Sequence, residues 1–267
     1  VVGEKISLAY EEASKKKIPV ISVVTSGGAR FQEGVLSLMQ MSKTCIAANK
    51  LSDAGVPFIS VLANPSTGQA YASFANMADI ILAEPGTKQG YSTLRSIMAN
   101  SEESISDDSH TAESHLSHGM IDAIVDRSKL REIISVLLDL FQQEFKITQT
   151  RSDSNYEIAS IPKQAWHSVR LSRHDSRPSS MDFMARMLDN FVEIHGDRYF
   201  KDDPSFVCGL GQLGGQTIVL VGHERGRANP STTQKNGRPS PEGFRKAQRA
   251  LRLADKFKIP VITFIDT

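Results

Sequence analysis

Residues 9–21 and 250–262 repeat one another. A shift of 241 positions lays Ala9 on Ala250, Ala13 on Ala254, Lys15 on Lys256 and Lys17 on Lys258. It also lays Ile18-Pro19-Val20-Ile21 on Ile259-Pro260-Val261-Ile262, so that eight of thirteen positions are identical. Identity at this level marks a duplicated unit. Each copy reads as a helix, a short turn and an apolar, β-branched run. The second copy stops where the first begins a glycine loop. A chain built this way feeds each strand from a helix, which calls for an α/β fold with right-handed βαβ connections.

The rest of the chain keeps the alternation. Residues 4–16 predict a helix, and Ile18 to Val24 a strand apolar enough to be buried on both faces. Gln32 to Ala54 carries Val35, Leu36, Met39 and Ile46 at helical spacing. Pro57 to Ala63 predicts a second buried strand, and Asn64-Pro65-Ser66-Thr67-Gly68 a loop. Ser73 to Met77 suits a helical turn, and Ala78 to Leu82 a third strand closed by Glu84-Pro85-Gly86. Residues 100–115 read as a solvated excursion, and Leu130 to Phe145 as an amphipathic helix.

Residues 147–163 turn polar and lose periodicity, which places a linker there. Two helices follow, Gln164 to Ser172 and Ser180 to His195, with Ser180 as cap of the second and Asp182 in its first turn. On this reading Gly196 ends that helix and Asp197 and Arg198 form a structural pair. Phe206 to Val221 predicts a hairpin around Gly214-Gly215, Glu242 to Phe257 a helix and Ile259 to Ile265 a buried strand. Arg225, Arg227, Lys235 and Arg238 lie in a basic loop. It either reaches phosphate groups of a ligand or the face of a partner protein, or is simply solvated, the plainer reading.

Composition narrows the class. A net charge of +1 over 267 residues points to neither nucleic acid nor an anionic membrane. Two cysteines, Cys45 and Cys208, support neither a zinc ribbon nor a disulfide framework. With no membrane-length apolar run and no signal peptide, a reduced cytoplasmic protein is expected. His110, His115 and His118 are close enough in sequence to raise a metal site, but exposed polar histidines are the plainer reading. The chain opens on Val1-Val2-Gly3 without Met and stops at Phe264-Ile265-Asp266-Thr267, so it reads as a segment of a longer protein.

The chemistry sits in two loops. Thr25 to Arg30 leaves a strand with two glycines, whose bare backbone lets N–H groups approach a ligand. The helix that follows adds orphan donors and a positive partial charge. The second strand ends similarly, at Gly68-Gln69. Loops at the carboxyl ends of two neighbouring parallel strands build one site between them. Each can aim one N–H at the same oxygen, which makes an oxyanion hole without a catalytic side chain. Ser26 lacks the G-x-S-x-G setting of a nucleophile.

Several stretches carry a family resemblance. Ser26-Gly27-Gly28-Ala29-Arg30-Phe31-Gln32-Glu33, Pro65-Ser66-Thr67-Gly68, Ala83-Glu84-Pro85 and His118-Gly119-Met120-Ile121-Asp122 resemble the β subunit of bacterial acetyl-CoA carboxylase carboxyltransferase. Beyond the linker, Glu193-Ile194-His195-Gly196-Asp197-Arg198, Gly222-His223-Glu224-Arg225-Gly226-Arg227 and Pro241-Glu242-Gly243-Phe244-Arg245-Lys246-Ala247 are similar to the α subunit. The resemblance implies two crotonase-like (ClpP/crotonase) α/β domains of repeated ββα units, both incomplete here. Residues 1–146 would be the β-type, acyl-CoA half and residues 164–267 the α-type, carboxybiotin half.

It also implies an enzyme that moves a carboxyl group from carboxybiotin, on a separate carrier protein, to acetyl-CoA, giving malonyl-CoA for fatty-acid or polyketide-type synthesis. The alternatives are another acyl-CoA, or a non-catalytic assembly paralogue. The backbone N–H donors carried over are Gly27, Gly28, Gly68 and Gln69, with Ser26, Arg30 and Thr67 binding substrate. Arg30 serves either a CoA phosphate or nearby carbonyls. The implied partners are biotin carboxyl carrier protein, biotin carboxylase and further copies of the chain. No metal is expected within it, and a zinc ribbon would lie in a missing N-terminal part. Gln69 departs from the family's second glycine, and Gln89-Gly90-Tyr91-Ser92-Thr93-Leu94 from its usual segment after Glu-Pro.

Overall fold

The computed structural model describes residues 1–92, 106, 108–142, 164–174, 176–226 and 237–266. The 147–163 linker, Arg227 and Lys235 of the basic loop, Thr93 and Leu94, and most of 100–107 lie outside these residues.

The first sheet is parallel. Helix α1 (Val2–Lys16) leads into β1 (Val20–Gly27), and α2 (Val35–Asp53) into β2 (Phe58–Thr67). β3 (Ile80–Ala83) and β5 (Ala123–Ile124) extend the order to β1-β2-β3-β5, and the two-residue β4 (Gln89–Gly90) pairs with the end of β2. Helix α3 (Ala112–Ser117) precedes β5, and α4 (Leu130–Gln142) follows it. Helices α5 (Ala165–Ser172) and α6 (Ser180–Met187) lead to the second sheet. This sheet has the order β6 (Phe191–Ile194), β7 (Phe206–Leu213), β8 (Gln216–His223), β9 (Val261–Phe264), with α7 (Pro241–Phe257) between β8 and β9. The first three strands are antiparallel, and β8 pairs with β9 in parallel.

The sequence repeat is a structural repeat. α1–β1 and α7–β9 place an edge strand on each sheet, parallel to its neighbour. The matching lysines close both helices in the left-handed region, Lys17 at φ 55 and Lys258 at φ 54. Gly214-Gly215 turns the β7–β8 hairpin with φ 57 and 79, the left-handed pair a two-residue hairpin turn requires.

Side-chain alternation sorts the core. Ile59 and Val61 of β2 and Ile80 and Leu82 of β3 pack with Leu137 and Leu140 of α4, Cys208 and Leu210 of β7, Val219 of β8 and Ala250 of α7. The intervening residues Phe58, Leu62, Ile81 and Ala83 face Tyr10 of α1 and Ala47, Ala48 and Leu51 of α2. One continuous core therefore joins residues from both sides of 143–163.

Sequence expectations are corrected at four elements. β1 is not buried on both faces: Ile21 and Val23 are exposed, because β1 is an edge strand. β9, expected as a buried strand, alternates exposed and half-buried residues for the same reason. β2 continues through Asn64 to Thr67, where a loop was expected, because β1 and β4 both pair with its end. The helix expected over Ser180 to His195 ends at Met187, since Phe191 to Ile194 gain ladder partners on β7. Its cap is Ser179, whose N–H donates to Asp182 at 2.9 Å. Gly196 consequently follows a strand.

Candidate functional site

Register aims the two loops. β1 and β2 pair regularly up to Val24↔Leu62 and resume at Ser26↔Ser66. Two extra β2 residues are thus accommodated in a bulge, which bends the strand ends. The Ser66 hydroxyl holds the bulge through Val24 O at 2.8 Å and Ala63 O at 2.6 Å. Beyond it, the Thr67 hydroxyl donates to Ser26 O at 3.0 Å. Thr67 is buried, so its hydroxyl braces the two strand ends against each other.

The loops meet at glycine. A Cβ on Gly68 would lie 2.5 Å from Gly28 Cα, and Gly68 sits at φ 73. No other residue type permits this approach without displacing backbone. Gly27 and Gly28 are exposed, and a Cβ on either would meet nothing within 4 Å. Bare backbone therefore faces open space beside the contact.

The donors are unequal. Gly68 N–H is taken by Gly90 O of β4 at 2.9 Å. Gly28 N–H makes a longer 3.2 Å bond to the Ser26 hydroxyl. Gln69 is held on three sides: its side chain accepts from the Ser37 hydroxyl of α2 at 2.9 Å, its carbonyl from the Ser73 hydroxyl at 2.6 Å, and the preceding peptide is fixed by Gly90. Its own N–H has no partner among the described residues. Of the second loop's two named donors, Gln69 is the one left available. The exposed Arg30 guanidinium bonds no carbonyl among the described residues.

Among the described residues, neither cysteine supplies a nucleophile. Burial pushes the Cys208 thiol up to about 12 and raises that of Cys45, so neither offers a thiolate. Tyr71, two residues past Gln69, shares a 2.8 Å hydrogen bond with His115 of α3. Burial lowers His115 to about 4 and raises Tyr71, so both are neutral at pH 7 and the pair tethers the loop. His115 is half-buried and His118 exposed, and no metal-binding group of three or more His, Cys, Asp or Glu is found among the described residues.

Behind the loops a charge cluster joins the halves. Asp122 is fully enclosed, accepting from Arg249 at 2.7 Å, from Arg198 at 2.5 Å and from Ile81 N–H at 2.8 Å. Burial acts to raise its carboxyl, but the two guanidiniums outweigh this and hold it below the usual range. Arg198 therefore pairs with Asp122 and not with Asp197, whose carboxylate takes the N–H groups of Tyr199, Phe200 and Lys201 and pairs with Arg245 at 2.7 Å. Lys256 reaches Asp79 at 2.6 Å. Gly119 and Gly196 touch backbone to backbone at the same junction. Asp79, Asp197, Arg198, Arg245, Arg249 and Lys256 line a groove of about 760 Å³, whose cations are mostly spent on carboxylates. The resemblance pointed to Asp122, Gly196 and Arg198 only as motif positions; their partnership needed the fold.

The architecture is the crotonase-like α/β fold. The transcarboxylase 12S structure with hydrolysed methylmalonyl-coenzyme A bound shares it at a TM-score of 0.75 and 22% identity, over 99% of this chain and 49% of that one. A single-chain, multi-domain long-chain acyl-CoA carboxylase matches at 0.70 and 18%, over 98% of this chain and 25% of that one.

Residues 128–267 match the acetyl co-enzyme A carboxylase carboxyltransferase-like family, and the chain belongs to it. The acetyl-coenzyme A carboxylase carboxyl transferase subunits beta/alpha of Clostridium tetani (strain Massachusetts / E88) are 39% identical over all of this chain and 47% of their own length. Those of Salinispora arenicola (strain CNS-205) are 40% identical over all of this chain and 49% of theirs. The chain thus spans about half the length of the curated relatives it matches.

Proposed function

We propose that the protein carries the acyl-CoA half of a carboxyltransferase that makes malonyl-CoA from acetyl-CoA. The observation behind this is the Gly28–Gly68 contact, which brings the open backbone of Gly27-Gly28 against the loop whose Gln69 N–H has no partner among the described residues. That pair suits a thioester oxygen, which gains negative charge as the acetyl methyl loses its proton. Donors fixed in advance stabilise the enolate more than the ground-state carbonyl. Ser26 and Thr67 hold the first loop in place. Arg30, exposed beside the glycines, serves a CoA phosphate.

Carboxybiotin, delivered by a carrier protein, supplies the carboxyl group. The described residues of the second copy run to Asp266 and include no counterpart of Gly27-Gly28 that would cradle the biotin ring. On this reading residues 1–146 form the acyl-CoA half and 164–267 the carboxybiotin half. Biotin carboxylase and further copies of the chain complete the assembly.

The test is malonyl-CoA formation by the full protein with carboxybiotinylated carrier and acetyl-CoA. Steady turnover is expected, and Gly27→Ala, which places a methyl group in the open space, is expected to lower kcat by about a hundredfold. A folded, assembled protein that makes no malonyl-CoA overturns the reading.

A further inference from the structure

The Gln69 side chain is anchored from outside its own loop. Its Oε1 accepts from the Ser37 hydroxyl at 2.9 Å, across 32 residues of sequence. Ser37 is 8% exposed and lies in the first turn of α2, so the anchor is itself fixed. The Gln69 carbonyl is held by Ser73 and the preceding peptide by Gly90. The residue that supplies the free N–H therefore also carries a side chain with little freedom to swing away.

This has a consequence for acyl choice. A thioester oxygen accepting from the Gln69 N–H sits about 2.9 Å from that nitrogen. The carbonyl carbon and the acyl α-carbon follow one and two bonds further on. The Gln69 Cβ, Cγ and amide begin two bonds from the same nitrogen, so they start from the donor end of the same hydrogen bond. A glycine here would leave the space open.

Resting on the carboxyltransferase reading, we propose that Gln69 is a specificity-determining residue and Ser37 its positioning residue. The Ser37–Gln69 hydrogen bond keeps the side chain beside the acyl α-carbon, where it admits a methyl group and turns away longer acyl groups. One methylene in a well-packed pocket changes kcat/KM by about 10–200-fold, so a single side chain is sufficient for the effect.

The experiment compares acetyl-CoA and propionyl-CoA as acceptors for the full protein with carboxybiotinylated carrier, in wild type, Gln69→Ala and Ser37→Ala. Melting temperatures establish that each variant is folded. The ratio of kcat/KM for propionyl-CoA over acetyl-CoA is expected to rise about tenfold in Gln69→Ala and severalfold in Ser37→Ala. A structural role alone lowers both substrates together and leaves the ratio unchanged. A ratio within twofold of wild type in both variants overturns the proposal while the carboxyltransferase reading stands. A folded wild type that carboxylates neither acyl-CoA overturns both.

Discussion

Gly68 has little room to change. An added methyl group would meet Gly28 Cα at 2.5 Å, and φ 73 is unfavourable for any side chain. Gly68→Ala is expected to cost roughly 1–2 kcal/mol from backbone conformation alone. Because the displaced atoms are the donors, kcat should fall by about a hundredfold. Thermal denaturation and steady-state kinetics read the two effects separately. His115 sets a pH dependence. Its pKa is lowered in the fold to about 4 from 6.5, so the unfolded chain binds more protons between those values. Stability from this group is complete above pH 6.5 and is lost as pH falls toward 4. His115→Gln should flatten that part of a plot of melting temperature against pH. That Gly28 and Gly68 turn the backbone at the ends of neighbouring strands was legible in sequence, because glycine after a strand carries a local conformational meaning. The Ser37 anchor was not, since a serine in a helix gives no sign of a partner 32 residues away.

Among the elements, α7 links the two sheets. Its apolar face, with Ala247, Ala250 and Leu253, enters the shared core. Arg249 and Lys256 on the same helix reach Asp122 and Asp79 of the first half. Removing Asp122 leaves two guanidiniums facing each other in a buried site. Asp122→Ala is therefore expected to cost about 3–5 kcal/mol, read by urea denaturation at neutral pH. The helix itself was plain in sequence, through its periodicity and its repeat of α1. Its ion pairs were hidden, because Asp122 meets Arg249 across 127 residues. The end of α6 misled for another reason. Phe191, Val192 and Ile194 sit close behind a helix, and only pairing with β7 makes them a strand.

At the scale of the whole molecule, the repeat announced two related units, and the alternation of helices and strands their α/β character. What pattern could not convey is that they share a core. Ile59, Ile80 and Leu137 pack in one cluster with Cys208, Val219 and Ala250. Equilibrium unfolding is accordingly expected as one transition, with fluorescence and far-UV circular dichroism coincident. Two separated transitions would show that the shared cluster contributes little. The central claim is that the loops after β1 and β2 hold one oxygen between them. A crystal structure of the full protein with acetyl-CoA tests it most directly. The account predicts the thioester oxygen about 3 Å from the Gln69 nitrogen and from a nitrogen of Gly27 or Gly28. A thioester bound away from both loops, such as in the groove beside α7, would contradict it.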